Sequence, residues 1–223
     1  MNDTPNAVLF DLDGTLIDTA PDMVAVLQEL QRDEGVEPVD YDTGRSYVSN
    51  GSLGLIRLGF GELEVGREKA LQQDYLERYL KQVAGGSRVF PGLDSLLDTL
   101  DAVGRKWGVV TNKPGFLTEP LMNALNLAKR SAATVSGDTL PVRKPDPAPL
   151  LHACELAGLS PERTVYVGDA ARDIEAGRRA GMLTIGVGYG YITADDDPRL
   201  WNADQLVDTT AELSQILTKV FKL

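Results

Sequence analysis

Asp11-Leu12-Asp13-Gly14-Thr15 closes the apolar run 7–10, which sets two carboxylates two residues apart where a short strand would end. Side chains alternate along an extended chain, so Asp11 and Asp13 can both turn toward one cavity, while Gly14 lets the backbone bend sharply behind them. Two like charges this close raise the pKa of one of them unless a cation neutralises the pair. The stretch therefore asks for a metal ion, a shared proton or both. Taken alone, it is equally what a solvated acidic turn looks like.

A second acidic group follows the run 164–167, with Gly168-Asp169 and then Asp173 four residues on. If a helix begins there, Asp169 and Asp173 project from neighbouring turns of one face. Carboxylates near a helix N-terminus are also explained by the helix dipole alone. Two parallel strands that each end in an acidic turn converge, however, and oxygen-only ligands suit a hard ion such as Mg²⁺, which takes few carboxylates plus a substrate phosphate. Thr111-Asn112 closes the run 107–110 and offers a hydroxyl, an amide and free backbone N–H groups to phosphoryl oxygens. The same pair is common in plain turns. Lys144 lies in Arg143-Lys144-Pro145-Asp146-Pro147, where the prolines stiffen the loop that carries its ammonium. A loop lysine by itself is ordinarily solvated. The ordered set is more specific than any member: acidic pair, Thr-Asn, Lys-Pro, then Gly-Asp with a second Asp.

The elements that must hold these residues are short apolar runs at 7–10, 107–110, 164–167 and 183–187, each followed by a polar turn and a helical period. That alternation predicts an α/β fold, a Rossmann-like parallel sheet with crossover helices, whose ligands bind at the C-terminal strand ends. Leu93, Leu96, Leu97, Leu100 and Val103 repeat at three and four, with Gly104 placed to end their helix. Asp146 is a candidate N-cap for a helix that begins near Pro147 and Pro149. The stretch from Thr19 to Ser87 differs: it is strongly helical, with stripes at Met23, Val24, Leu27, Leu30 and at Leu71, Tyr75, Tyr79, Val83, and it has no clear strand. It reads as a helical insertion, with hinges near Thr19 and Gly85-Gly86 that would let it open and close over the core.

Composition narrows the partners. Among 223 residues, 22 Lys+Arg stand against 33 Asp+Glu, a formal net charge of −11 that repels polyanions and argues against nucleic acid. No segment approaches the roughly 20 consecutive apolar residues that span a bilayer. Residues 1–6 lack a basic stretch and the first apolar run stops at Asp11, so no signal peptide is expected and a cytoplasmic protein is. Cys154 is the sole cysteine, which excludes an intrachain disulfide, and its apolar helical surroundings predict packing. His152, the sole histidine, sits beside Leu150 and Leu151, where packing or exposure is expected in place of base catalysis.

The four motifs, Asp11 to Thr15, Thr111-Asn112, Lys144 and Gly168 to Asp173, resemble those of the haloacid dehalogenase superfamily over almost the whole chain. That resemblance implies a hydrolase core at 1–18 and 88–223 and a helical C1-type cap at 19–87, with a substrate loop near Ser49 to Gly51. It implies Asp11 as nucleophile and metal ligand, and Asp13 as general acid then base, with its carbonyl on the metal. Thr111, Asn112 and Lys144 would bind the phosphoryl group, Asp169 would ligate Mg²⁺, and Asp173 would support the metal or Lys144. A carboxylate nucleophile makes chemical sense, since an aspartyl phosphate divides hydrolysis of an unreactive monoester into two steps.

The segment from Gly44 to Gly51 resembles the cap of phosphoglycolate phosphatases, in which Arg45 would meet a substrate carboxylate and Asn50 would line the loop. The stretch 107–120, and Tyr189, Tyr191 and Trp201-Asn202-Ala203-Asp204, look closer to N-acetylmuramic acid 6-phosphate phosphatases. Tyr189, Tyr191 and Trp201 also read as simple packing of a C-terminal turn. The implied activity is hydrolysis of a small phosphomonoester by a monomer or homodimer, first 2-phosphoglycolate, alternatively the muramic acid phosphate. A phosphoglucomutase-like isomerase and a phospho-accepting receiver are more distant readings.

Overall fold

The computed structural model describes residues 5–222; residues 1–4 and 223, assigned from sequence to the two ends of the core, lie outside the described residues. β1 (Ala7–Phe10) is four apolar residues, all fully buried, because it is sandwiched by neighbours on both edges and covered on both faces. Those neighbours are β4 (Lys106–Val110) and β6 (Thr164–Gly168). With β5 (Thr134–Val135), β7 (Leu183–Val187) and β8 (Gln205–Val207), they make a six-stranded sheet in the order β5-β4-β1-β6-β7-β8, every pairing parallel. Phe10 stands opposite both Val109 and Val167. One step further on, Asp11 comes level with Val110 and Gly168, so Thr111 and Asp169 leave the same rim just beyond it.

Alternation along the strands splits the core in two. Val8, Phe10, Val109, Val165 and Val167 pack with α5 (Leu93–Ala102), α6 (Gly115–Ala124) and α9 (Thr210–Phe221). Leu9, Val110 and Tyr166 pack with α7 (Ala148–Ala157) and α8 (Ala171–Arg179) on the opposite face. The expected α/β sheet is therefore present. Gly104, at φ +68°, ends α5 as read from the sequence. The N-cap position of α7 is Pro147 rather than Asp146, although the Asp146 carboxylate still accepts the Ala148 N–H at 2.9 Å.

Between β2 (Ile17–Asp18) and β3 (Arg88–Val89), which pair antiparallel, the chain forms α1 (Ala20–Asp33), α2 (Tyr41–Ser46), α3 (Gly51–Phe60) and α4 (Val65–Gln82). These helices bury a cluster of their own, including Met23, Leu27, Leu30, Leu71, Tyr75 and Tyr79, and meet the rest of the chain at Leu117 and Tyr191. Among the described residues, no helix is long and apolar enough to cross a membrane.

Candidate active site

The site is built where β1, β4 and β6 end. Asp11 leaves β1 with its N–H on the Val167 carbonyl at 2.8 Å, and its Oδ1 accepts the Leu12 N–H at 2.7 Å. Gly14 turns the chain at φ +81°, and a Cβ there would lie 2.1 Å from Asp169 Oδ2, so both backbone and space demand glycine. Gly168 is required by space alone, since a Cβ would fall 2.3 Å from the Asp173 Cβ. α8 starts at Ala171, which leaves Asp169 in the turn ahead of the helix and Asp173 in its first turn. Asp11, Asp169 and Asp173 are all buried, and each brings an oxygen within 4.8 Å of the others.

Lys144 reaches this group from the β5–α7 loop. Its Nζ donates to the Val110 carbonyl at 2.8 Å and the Tyr166 hydroxyl at 2.9 Å, and lies 2.9 Å from Asp11 Oδ1 and 2.8 Å from Asp173 Oδ1. Burial lowers the Lys144 pKa, but Asp11 and Asp173 outweigh it and hold the ammonium above its ordinary value. The Asp173 contact is not aligned for a hydrogen bond, so both Asp173 oxygens are buried without a hydrogen-bond donor. Burial, reinforced by Asp11 and Asp173, pushes the Asp169 carboxyl up to about 7. Carboxylate oxygens without a donor and a carboxyl that resists ionisation fit the company of a cation, and an all-oxygen set suits a hard divalent ion.

Asn112 does not present its whole amide to a ligand: its Nδ2 donates to the Lys144 carbonyl at 3.0 Å and its Oδ1 accepts the Lys144 N–H at 3.1 Å, which fixes the backbone that carries the ammonium. Asp13, Asp11, Thr111 and Asn112 line a cavity of ≈530 Å³, roofed by Ser49, Asn50, Ser52, Gln72, Tyr75 and Tyr79 of the helical insertion. Ser49 also donates to Asp169 Oδ2 at 2.8 Å. Arg45 is not among the cavity's lining residues. Its Nη1 is 2.6 Å from Asp18 Oδ1 and its guanidinium lies 4.9 Å from the centre of the Tyr191 ring. His152 is partly exposed beside Glu155, and the Cys154 thiol is buried and raised in pKa, chiefly by burial.

Four further residues of the site are outside the set assigned to it from sequence. Lys113 lines the cavity and reaches Asp13 Oδ1 at 3.0 Å; burial opposes its charge, yet Asp13 and Tyr79 keep its pKa raised. Tyr166 supports Lys144, and Arg172 lines the cavity beside the carboxylates. Tyr191 donates its N–H to Asp169 Oδ2 at 2.9 Å. Of these, Lys113 was within reach as the next residue after Thr111-Asn112, Arg172 as a member of the stretch Gly168 to Asp173, and Tyr191 as a residue of the C-terminal turn singled out above.

Sheet order, acidic strand ends and buried lysine together define a phosphoryl-transfer hydrolase of the α/β type. Residues 8–187 match the family model for haloacid dehalogenase-like hydrolases, and the chain belongs to that family. It is 44% identical over 214 residues to an N-acetylmuramic acid 6-phosphate phosphatase of Pseudomonas aeruginosa, covering 96% of this chain and 95% of that protein. It is 40% identical over 209 residues to a phosphoglycolate phosphatase of Xanthomonas campestris, covering 94% and 95%. Its fold superposes, with a TM-score of 0.84 and 27% identity, on a crystal structure described as a predicted phosphoglycolate phosphatase of Haemophilus somnus, covering 97% of this chain and 99% of that one.

Proposed function

We propose that the chain is a Mg²⁺-dependent phosphomonoesterase that frees phosphate from a small metabolite through an aspartyl phosphate on Asp11. The observation that carries this is the meeting of Asp11, Asp169, Asp173 and Lys144 at one buried point of the sheet rim. In this reading Asp11 attacks phosphorus, Thr111 and Lys144 hold the phosphoryl oxygens, and Asn112 serves through its two bonds to Lys144. Asp13 gives a proton to the leaving oxygen and then takes one from water. Asp11, the Asp13 carbonyl, Asp169 and Asp173 would hold Mg²⁺, which when bound supplies charge neutralisation for the phosphoryl oxygens.

The same proposal divides the chain into a core, 1–18 and 88–223, and a cap, 19–87, supported by the cap's separate apolar cluster. Every group named lies on one chain, so a monomer or either half of a homodimer holds a full set. A cytoplasmic site of action accords with Cys154, a lone buried thiol, and the net charge of −11 disfavours nucleic acid.

A phosphoglycolate-directed activity is supported by relatives of that name. The second reading, N-acetylmuramic acid 6-phosphate, is supported by a relative of that name and by two features of the site. The cavity of ≈530 Å³ lies within the range of about 300–1,000 Å³ of pockets for drug-sized ligands and exceeds what a two-carbon acid fills. Arg45, the cation expected to meet a carboxylate, is already paired with Asp18. Phosphate release from both compounds, with Mg²⁺ and with EDTA, tests the class and the choice together. Asp11→Asn should abolish release; an Asp11→Asn protein that still turns over, or full activity in EDTA, would overturn the scheme.

A further inference from the structure

Lys113 is a buried cation that the proposed chemistry does not use. Its backbone is clamped: its N–H reaches Thr111 Oγ1 at 3.1 Å, and its carbonyl accepts from Gly137 N at 2.9 Å and from the Thr118 hydroxyl at 3.2 Å. Its side chain, 5% exposed, runs into the cavity and ends among groups from three separate elements. Nζ is 3.0 Å from Asp13 Oδ1, 4.5 Å from the centre of the Tyr79 ring on α4, and 3.8 Å from Met23 Sδ on α1. Burying an ammonium is costly unless it is paired, and these are the partners that compensate.

The effect falls on Asp13. Its Oδ1 accepts twice, from Lys113 and from Thr19 Oγ1 at 2.6 Å, whereas Oδ2 has no protein partner among the described residues. A carboxyl group fixed through one oxygen presents the other to the cavity in a single orientation. α1 and α4 supply two of the ammonium's three partners, so those helices lie over the rim where the fixing is made. We propose that Lys113 is a positioning residue for Asp13, anchored by the helical insertion, so that the acid–base carboxyl is aimed only when the cavity is covered; this rests on the assignment of Asp13 as acid and base.

The leaving group separates this from other roles. An alkoxide needs a proton as it departs, whereas 4-nitrophenolate leaves without one, so only the alkyl ester depends on how Asp13 is aimed. Lys113→Met should lower kcat on the better of 2-phosphoglycolate and N-acetylmuramic acid 6-phosphate by about 100-fold, and on 4-nitrophenyl phosphate by about 5-fold or less, as befits a general-acid contribution. Lys113→Gln, which keeps a donor of similar reach, should recover most of the alkyl-ester rate; if Lys113→Met does not fold, Lys113→Ala takes its place in the comparison of the two esters. Equal losses on both esters in the folded variant would overturn the proposal, as they would show phosphate binding or structure alone, and so would no loss at all. Asp13→Asn serves as reference. If it shows the split between esters and the Lys113 variants do not, the positioning role fails while the assignment of Asp13 stands. If it shows no split, the assignment itself is wrong.

Discussion

Lys144 Nζ has four oxygens within 2.9 Å but hydrogen-bonds to the Val110 carbonyl and the Tyr166 hydroxyl, so Asp11 and Asp173 meet it as ion pairs and both Asp173 oxygens stay without a donor. A divalent ion would relieve the deficit, which gives the metal a signature in stability. The Asp169 carboxyl is pushed up to about 7, against about 4 for an unfolded chain. The metal-free folded state thus binds that proton more tightly, so its contribution is full below about pH 4 and is lost as pH rises through about 7. Scanning calorimetry of EDTA-treated protein should show part of the stability falling across that window, with the fall reduced in Asp169→Asn. Added Mg²⁺ should raise Tm more at pH 8 than at pH 5, because at the lower pH it must displace the proton; a shift indifferent to pH would contradict this. The sequence displayed Asp11, Asp13, Thr111, Lys144, Asp169 and Asp173 because each lies in a short local pattern at a strand end or stiff loop. Tyr166 was silent, and Ser49 and Tyr191 stood out only through resemblance, since their partners are supplied only by folding. Arg45 marks the same boundary: a long cation looks alike whether it awaits a substrate or Asp18.

Thr19 occupies the N-cap position of α1, yet its hydroxyl goes to Asp13 and gives the helix no side-chain cap. The Tyr191 hydroxyl takes over, accepting the Thr19 and Ala20 N–H groups at 2.6 and 2.9 Å and donating to Asp18 Oδ1 at 2.8 Å. Tyr191→Phe would leave two buried donors at a helix start, which should cost about 2 kcal/mol or more, and for a chain of this size lower Tm by about 4–8 °C. A change under 1 °C by calorimetry would show that water replaces the hydroxyl. Gly14→Ala should be worse for the site than for the fold. The strained φ costs about 1–3 kcal/mol, and the displaced Asp169 should weaken Mg²⁺ binding measured by titration calorimetry; unchanged Mg²⁺ affinity would refute that link. Long periodic helices and the buried strands were legible from residue pattern. β5 and β8, at two and three residues, are too short to show alternation, and the β2–β3 pairing joins residues about 70 positions apart in a way no local pattern encodes.

The helical insertion joins the sheet through two crossings, and the molecule fastens them to each other. Asp18 pairs with Arg88 across the β2–β3 ribbon, and Asp22, in the first turn of α1, accepts the N–H groups of Gly86 and Ser87 and the Ser87 hydroxyl at 2.6 Å. Sequence placed hinges near both crossings but not the carboxylate that ties them. Asp22→Ala should loosen the pair, so limited proteolysis should cut faster near 85–87 and KM should rise more than kcat falls; unaltered cleavage and kinetics would show that the ribbon alone suffices. The trio of carboxylates on the floor has its own consequence for traffic. Without a cation, Asp11 and Asp173 engage Lys144, the charge a phosphoryl group would otherwise meet, and with Asp169 beside them should weaken its hold on anions, all the more on a chain of net charge −11. Once the ion is seated, the same floor becomes a landing place for them. Visitors should then come in order, ion first and phosphoester second, and inorganic phosphate should bind the protein more weakly in EDTA than with Mg²⁺ present.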